Sequence, residues 1–399
     1  MISKRASSWI AHGSSIRRAY ESAQRLAQAI GEDLVFDYSI GNPAAPCPAE
    51  VSQSLRRIAD QTEPGAHGYM NSAGYDFVCR KIATDCRRRF SVDYTENDII
   101  MTTGAACAIN MALLAVADPG DEVVVFRPFY PGYTEFARNW GLNLVEVGFE
   151  EGSLLPDLDE LRRSITDRTH AVIVNTPCNP TGVVYPPEFA SRLCGVLEEA
   201  QERLHQDIYL ISDEPYRELV YDGLENPYWP HYYGNCFVAY SFSKSLSLAG
   251  DRIGYLALTP SMASHDEVRR SVCASLGSIG FVNAPATAQR VVADCLDAKV
   301  DLGFYDGNRL LLYQLLVDAG LNPIRPQGAF YIFVPIPDGD ERRFLDLCAR
   351  HHVFPVEGSA FSGPGYARFS FCIPREKIER SAPFLMELGR EYTRKRGEA

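Results

Sequence analysis

The chain has 399 residues, of which 46% are hydrophobic, so it can bury a large core and is long enough for two domains. Its formal net charge of -12, without any basic block, argues against nucleic-acid or anionic-membrane partners and favours small molecules. No run of 18 apolar residues is present, and the eleven cysteines include no Cys-x-x-Cys pair. We therefore expect a cytoplasmic enzyme-sized protein without a metal site.

The first residues predict an N-terminal arm. Ser15 to Ile30 has the periodicity of an amphipathic helix that ends at Gly31, and residues 35–40 form a short extended segment before a turn. We interpret residues 1–47 as an arm that also contributes to a small domain.

Apolar runs alternate with helical stretches from Glu96 onward. Most of the runs are continuously apolar, as expected when helices cover both faces of a largely parallel sheet. The predicted strands are residues 98–101, 122–126, 143–147, 171–175, 208–213, 237–241 and 253–258. The predicted class is therefore α/β, with a seven-stranded, mostly parallel sheet in a large domain over residues 48–285.

A second layer follows this domain. Helical patterns after Val291 and two further apolar runs, 328–333 and 367–371, indicate a smaller α+β domain. We expect the junction near Pro285, so that residues 286–399 form the small C-terminal domain.

Lys244 lies in a short segment that connects two of the apolar runs, among small hydroxyl residues. Ligands of open parallel sheets bind at the carboxyl ends of the strands, where this lysine is expected. Enclosure there would lower the pKa of the amine and make it a nucleophile. The alternative is an ordinary exposed loop lysine, but the neighbouring residues favour a catalytic role for Lys244.

Three other strand ends carry residues that could take part in ligand binding or catalysis. The turn 102–108 feeds a helix whose free N–H groups can bind a phosphate, although a plain strand-to-helix connection would look the same. The loop 175–182 is rich in proline and can hold the Asn179 amide rigidly. Asp213 and Tyr216 follow the next run, where a lone aspartate is often only a helix cap.

Pyridoxal 5'-phosphate is one cofactor that would use all of these groups. It needs a lysine to form an imine, a carboxylate to keep its ring nitrogen protonated, donors near its ring hydroxyl and a cup for its phosphate. Ser241 and Arg252 are suited to hydrogen-bond and neutralise that phosphate.

Four motifs in this order resemble those of the class I, fold-type I aminotransferases that include aspartate aminotransferase. They are residues 241–244 with 252–255, 175–182, 213–216 and 368–370, and the resemblance spans nearly the whole chain. It implies a pyridoxal-phosphate-dependent aminotransferase that acts on amino acids and keto acids. It also implies a homodimer with shared active sites.

The resemblance assigns a cofactor role to each matching residue. Lys244 would be the Schiff-base lysine, Asp213 the partner of the pyridine nitrogen, and Tyr216 and Asn179 the contacts of the ring hydroxyl. The remaining contacts would be Ser241, Arg252 and the backbone of Ala105 and Ala106 on the phosphate, Tyr130 stacked on the ring, and Tyr69 on the phosphate of the neighbouring subunit.

For the substrate, the resemblance implies that Arg368 grips the α-carboxylate with a two-pronged contact, rather than forming a surface salt bridge. Gly41 would let the backbone approach the same carboxylate, beside Asn179. Two features depart from the family. Ala105 and Ala106 offer the phosphate no hydroxyl side chains, and no residue matches the second, side-chain-selecting arginine of aspartate-specific members.

Three functions are open at this point. The leading one is a two-stage amino-group transfer in which freed Lys244 moves the proton at the substrate Cα. The second keeps the cofactor but performs β-elimination, carbon–sulfur lysis, decarboxylation or oxidation. The third is a non-enzymatic regulator, whose usual marks, a lost lysine or an added DNA-binding segment, do not occur in this sequence.

Overall fold

The fold was analysed in a computed structural model, which describes residues 2–11, 15–63, 65–150 and 153–397. The helices in these ranges are α1 Lys4–Ala11, α2 Ser15–Ile30, α3 Ala49–Ala59, α4 Asp76–Phe90, α5 Ala105–Val116, α6 Gly132–Trp140, α7 Leu158–Ser164, α8 Pro187–Leu204, α9 Phe242–Ser245, α10 His265–Ser278, α11 Ala286–Asp294, α12 Leu302–Asp318, α13 Glu341–Arg350 and α14 Arg375–Gly397. The strands are β1 Phe36–Asp37, β2 Ile99–Thr102, β3 Glu122–Phe126, β4 Asn143–Val147, β5 Thr169–Asn175, β6 Tyr209–Asp213, β7 Cys236–Ser241, β8 Gly254–Leu258, β9 Tyr331–Pro335, β10 Val353–Phe354, β11 Val356–Glu357 and β12 Tyr366–Ser370.

A seven-stranded sheet with the order β2-β8-β7-β6-β5-β3-β4 forms the centre of the molecule. Strand β8 is antiparallel to both of its neighbours, and the other pairs are parallel. Each predicted strand is present, with its ends displaced by at most two residues. The predicted α/β class with a mostly parallel seven-stranded sheet is confirmed.

Helices cover both faces of this sheet, which explains why most of its strands are continuously apolar. In β3, Val124 packs into one hydrophobic cluster with residues of α4 and α8, whereas Val123 and Val125 pack into another with α5 and α6. Successive side chains of a strand point to opposite faces, so both faces need apolar residues.

The small layer is an antiparallel sheet of order β11-β12-β9, accompanied by the parallel pair β1 and β10. Phe36 and Tyr38 of the N-terminal arm are buried in its core. Val291 and Cys295 still pack with the large sheet, and Val300 is the first residue after them that packs in the core of the small layer. The limits at residues 47 and 285 stay predictions, and this packing favours a junction closer to Val300.

Among the residues described, none of the helices is both long enough and apolar enough to cross a membrane.

Arg309 joins α12 to the loop that follows β6. It is only 1% exposed, and its two terminal nitrogens donate to the two carboxylate oxygens of Asp222 at 2.7 and 2.8 Å. It also donates to the carbonyl of Pro326 at 2.8 Å and contacts Asp306 at 2.7 Å. A guanidinium that bonds acceptors on three residues at once fixes the position of α12.

We expect Arg309→Met to lower the free energy of unfolding by about 2 to 3 kcal/mol, because it removes a buried guanidinium that bonds two partly exposed carboxylates and the carbonyl of Pro326. Urea unfolding followed by circular dichroism measures the change. Arg325→Met is the matched control, since Arg325 contacts the same Asp222 at 3.2 Å but its side chain is 57% exposed. The control should cost less than about 1 kcal/mol. Equal losses in both variants would contradict the role given to Arg309.

Candidate active site

A cavity of about 670 Å³ opens at the carboxyl ends of three neighbouring central strands. The last residues of β5, β6 and β7, which are Asn175, Asp213 and Ser241, all line it. All but one of the residues that the sequence assigned to the site line this cavity as well; these are Gly41, Ala105, Ala106, Tyr130, Asn179, Asp213, Tyr216, Ser241, Lys244, Arg252 and Arg368. Tyr69 does not line the cavity, and its side chain is 95% exposed.

Lys244 lies in the single-turn helix α9, which begins directly after β7. Its Nζ donates to the carbonyl of Gly41 at 2.8 Å and lies 5.1 Å from the centre of the Phe330 ring. Burial lowers the pKa of the Lys244 amine to about 8, and the positive charges of Arg252 and Arg368 act in the same direction. The amine can therefore lose its proton near neutral pH.

Asp213 ends β6 with its carboxylate buried. Its Oδ2 accepts a hydrogen bond of 2.6 Å from the phenol of Tyr133, whereas its Oδ1 is buried without any partner. Burial raises the pKa of Asp213 to about 7, the Tyr133 hydrogen bond opposes that rise, and the charge of Glu214 adds to it. A buried carboxylate oxygen without a donor is costly, so this atom is suited to accept from a cationic N–H.

The N-terminus of α5 and two polar side chains form one end of the cavity. Gly104 precedes the helix with φ of 95°, and the amides of the first helical turn have no partner within the helix. A Cβ at Gly104 would lie 3.0 Å from Nη2 of Arg252, so glycine lets this guanidinium approach the helix start. With the Ser241 hydroxyl, these groups make a cup for an anion.

Two phenols meet near the Lys244 amine. The hydroxyls of Tyr216 and Tyr331 lie 3.0 Å apart, and burial raises the pKa of Tyr216 well above its usual value. Gly41 is required here, because a Cβ at this position would come within 2.0 Å of the Tyr331 hydroxyl. Both phenols therefore stay protonated; one proton is used in their mutual hydrogen bond and the other is left to donate.

Arg368 is 1% exposed and lies between the rings of Tyr331 and Phe361, at 4.3 and 4.5 Å from their centres. Its Nη1 donates to Oδ1 of Asn179 at 2.9 Å and its Nη2 to the carbonyl of Ser39 at 2.5 Å, while Nε is buried without a partner. Because the amide oxygen of Asn179 is engaged, its amide nitrogen is the atom left to donate.

Tyr130 lines the cavity with its ring folded back over the backbone of the following residues. Gly132 permits this position, because a Cβ there would lie 2.2 Å from the ring. The ring meets that of Tyr133 edge to face, with centroids 5.6 Å apart. Tyr130 therefore offers the cavity a fixed aromatic surface.

Sequence reasoning missed three residues of this site. Tyr133 and Tyr331 were not assigned, and Asn175 was not given a role although it holds the backbone of Asn179 at 2.8 Å through its side chain. Tyr133 follows Tyr130 by three residues, so helical spacing next to a site aromatic is the signal that could have identified it.

The groups present fit pyridoxal phosphate. The unpartnered Oδ1 of Asp213 matches a protonated ring nitrogen, and the helix start with Ser241 and Arg252 matches a phosphate. Lys244 supplies an amine of lowered pKa in the same cavity. The unpartnered Nε of Arg368 leaves this guanidinium a donor for a carboxylate.

Comparisons with known proteins agree with this fit. The profile of the family described as aminotransferase class I and II matches residues 35–385. An aspartate/prephenate aminotransferase from Thermus thermophilus is 32% identical over 373 residues, which cover 90% of this chain and 92% of the relative. A solved aminotransferase structure from Eubacterium rectale is 33% identical with a TM-score of 0.94, and covers 98% of this chain and 99% of its own.

The structure of Thermus thermophilus aspartate aminotransferase with maleate is 28% identical, with a TM-score of 0.85 and coverage of 97% of this chain and 99% of that chain. The family resemblance drawn from the four motifs is thus confirmed, and transamination is favoured over the elimination, decarboxylation and oxidation alternatives. The chain belongs to the class I and II aminotransferase family and is a pyridoxal-phosphate-dependent enzyme that transfers amino groups between amino acids and 2-keto acids.

Proposed function

We propose that Lys244 carries the proton in this transamination, with Asp213 as the partner of the cofactor ring and Arg368 as the anchor of the substrate α-carboxylate. The observation that carries the proposal is the unpartnered Oδ1 of Asp213, buried in the cavity that also holds the Lys244 amine. When bound, pyridoxal phosphate supplies a carbonyl carbon for the amino group and a ring that accepts the electron pair released at the substrate Cα.

Lys244 alternates between two protonation states. As a neutral amine it removes the proton from the substrate Cα, and as an ammonium it returns a proton to the reacting carbon. Its pKa of about 8 suits both the removal and the return of the proton. A group whose pKa lies near the working pH is present in both its basic and its acidic form, so neither step is slowed by a lack of the required form. The carbonyl of Gly41, 2.8 Å from Nζ, orients the amine.

Asp213 is held in place by Tyr133, which is a positioning residue rather than a catalytic one. The phenol donates to Oδ2, so Oδ1 keeps a fixed direction and stays ready for a cationic N–H. The same hydrogen bond favours the charged carboxylate and opposes the effect of burial on its pKa. A charged Asp213 would in turn keep a bound ring nitrogen protonated.

The substrate carboxylate and the ring hydroxyl of the cofactor are assigned to the residues around Arg368 and Tyr216. Arg368 would bind the α-carboxylate by donating from its Nε, assisted by the backbone at Gly41 and by Asn179. The Tyr216 phenol and the Asn179 amide nitrogen would donate to the ring hydroxyl, and Tyr130 would stack on the ring.

At the other end of the cavity, Ser241, Arg252 and the backbone of Ala105 and Ala106 would hold the phosphate.

A homodimer with shared sites completes the proposal. Tyr69 is 95% exposed and lies outside the cavity of its own chain, so it is free to reach a second copy. Phe281 and Val282, at 43% and 45% exposure, lie on an adjoining loop that is held by a 2.7 Å bond from Asn283 to the backbone of Asn71. Exposed apolar side chains on adjoining loops support an interface there.

The cytoplasm is the proposed location, because eleven unpaired thiols suit a reducing compartment.

We expect Lys244→Ala to keep the fold and to lower turnover by about 10²- to 10⁴-fold or more, because the carrier of the proton is lost. Amino-donor and keto-acid turnover at saturating pyridoxal phosphate measures this, with circular dichroism as the check of folding. Lys299→Ala, which removes an exposed lysine, is the control and should match the parent. A Lys244→Ala protein with normal turnover would exclude the assignment.

Tyr133→Phe should raise the pKa of Asp213, because the phenol that favours the carboxylate is gone. Loss of a hydrogen bond to a charged group, about 1.5 to 3 kcal/mol, corresponds to about one to two pH units. The acidic limb of the turnover profile should therefore move to higher pH. Tyr233→Phe, which removes a buried phenol bonded to the carbonyl of Ile208, should leave the limb in place. An unmoved limb in Tyr133→Phe would remove the positioning role.

Mixing Tyr69→Phe with Lys244→Ala tests the shared site. If Tyr69 serves the partner and Lys244 its own subunit, each hybrid dimer has one site with both lesions and one with neither. Activity at limiting pyridoxal phosphate should then exceed the sum of the parents, since the lost hydroxyl costs about 1 to 3 kcal/mol of phosphate affinity. Exchange verified by differently tagged chains without such a gain would refute the cross-subunit role of Tyr69.

A further inference from the structure

We propose that the part of the cavity left over by these assignments is an apolar side-chain subsite, formed by Ile16, Tyr20, Ile40 and Ile109. The enzyme would therefore prefer substrates with apolar or aromatic side chains over dicarboxylates. The inference rests on the proposed function, because it takes the substrate α-carboxylate to be bound at Arg368.

The cations that a single subunit places around the cavity leave none for a second carboxylate. Among the described lining residues they are Lys244, Arg252, Arg368 and Arg17, and the first three already have roles toward the amine, the phosphate and the α-carboxylate. Arg17 pairs with Glu21 at 3.0 Å and its side chain is 80% exposed. A solvated, paired guanidinium at the mouth would add little to the binding of a carboxylate.

The remaining wall is apolar and comes from three parts of the chain. Ile16 and Tyr20 are four residues apart on α2, so they share one face of that helix, and this face borders the cavity. Ile109 on α5 is 1% exposed, and Ile40 directly precedes Gly41. An apolar side chain gains by leaving water against such a wall, whereas a carboxylate would lose its hydration without a partner.

Contacts between α2 and the small domain hold this wall in place. Ala23 is buried against Val35 and Phe354 of the small domain. Arg18 lies 3.7 Å from Glu357, which belongs to β11. These contacts hold the N-terminal turns of α2 at the cavity that Arg368 also lines.

The test compares two carboxylates that carry no amino or keto group and so only bind. Calorimetry on the pyridoxal-phosphate-loaded enzyme should give hydrocinnamate an affinity about 10- to 100-fold higher than that of succinate, as a discriminating pocket allows. Tyr20→Ala and Ile16→Ala should lower the affinity for hydrocinnamate by about 3- to 10-fold and leave the affinity for succinate unchanged. Gln28→Ala, on an exposed position of the same helix, is the matched control and should change neither affinity.

If succinate binds as tightly as hydrocinnamate, the apolar subsite is overturned, and a loss of succinate binding in Arg17→Gln would identify Arg17 as the selecting cation instead. An affinity for hydrocinnamate that is unchanged in both α2 variants would overturn the subsite as well. Arg368→Leu separates these results from a failure of the proposed function. It should abolish the binding of both ligands, and unchanged affinities would show that the carboxylate site itself is wrong.

Discussion

The site is organised around a buried carboxylate that has one oxygen bonded and the other left without a partner. Tyr133 holds Oδ2 of Asp213 at 2.6 Å, and no group of the described chain reaches Oδ1. Burial of such an atom destabilises the charged form, which is why the pKa of Asp213 rises to about 7. A cationic N–H at Oδ1 offsets that cost, so the folded chain is prepared for a protonated ring nitrogen.

The same burial acts on Lys244 in the opposite direction. It lowers the pKa of the amine to about 8 while it raises that of Asp213 to about 7, so both groups approach neutral pH from opposite sides. Environments that push the pKa values of an acid and a base in this way are typical of sites that move protons. The two groups are held by the ends of neighbouring parallel strands, which only the order of the sheet brings together.

Much of this could be predicted from the sequence because the signals are local. Apolar runs, most of them continuous, identified each strand of the large sheet, and residues at the strand ends identified Asp213 and Lys244. The partners of Tyr133 and Tyr331 could not be found in this way, since they lie 80 and 115 residues away along the chain. The apolar wall on α2 also depends on how that helix packs on the small domain, and the sequence pattern of Tyr69 does not say which subunit it serves.

The direct test of the account is the protonation state of the cofactor ring. Nitrogen-15 NMR of the enzyme loaded with pyridoxal phosphate labelled at the ring nitrogen measures it without any turnover. The account predicts a protonated nitrogen in the parent at pH 8, because Asp213 is then charged, and an unprotonated one when Asp213 is replaced by alanine. A neutral ring nitrogen in the parent enzyme, or a protonated one that persists without Asp213, would contradict the role of the buried carboxylate.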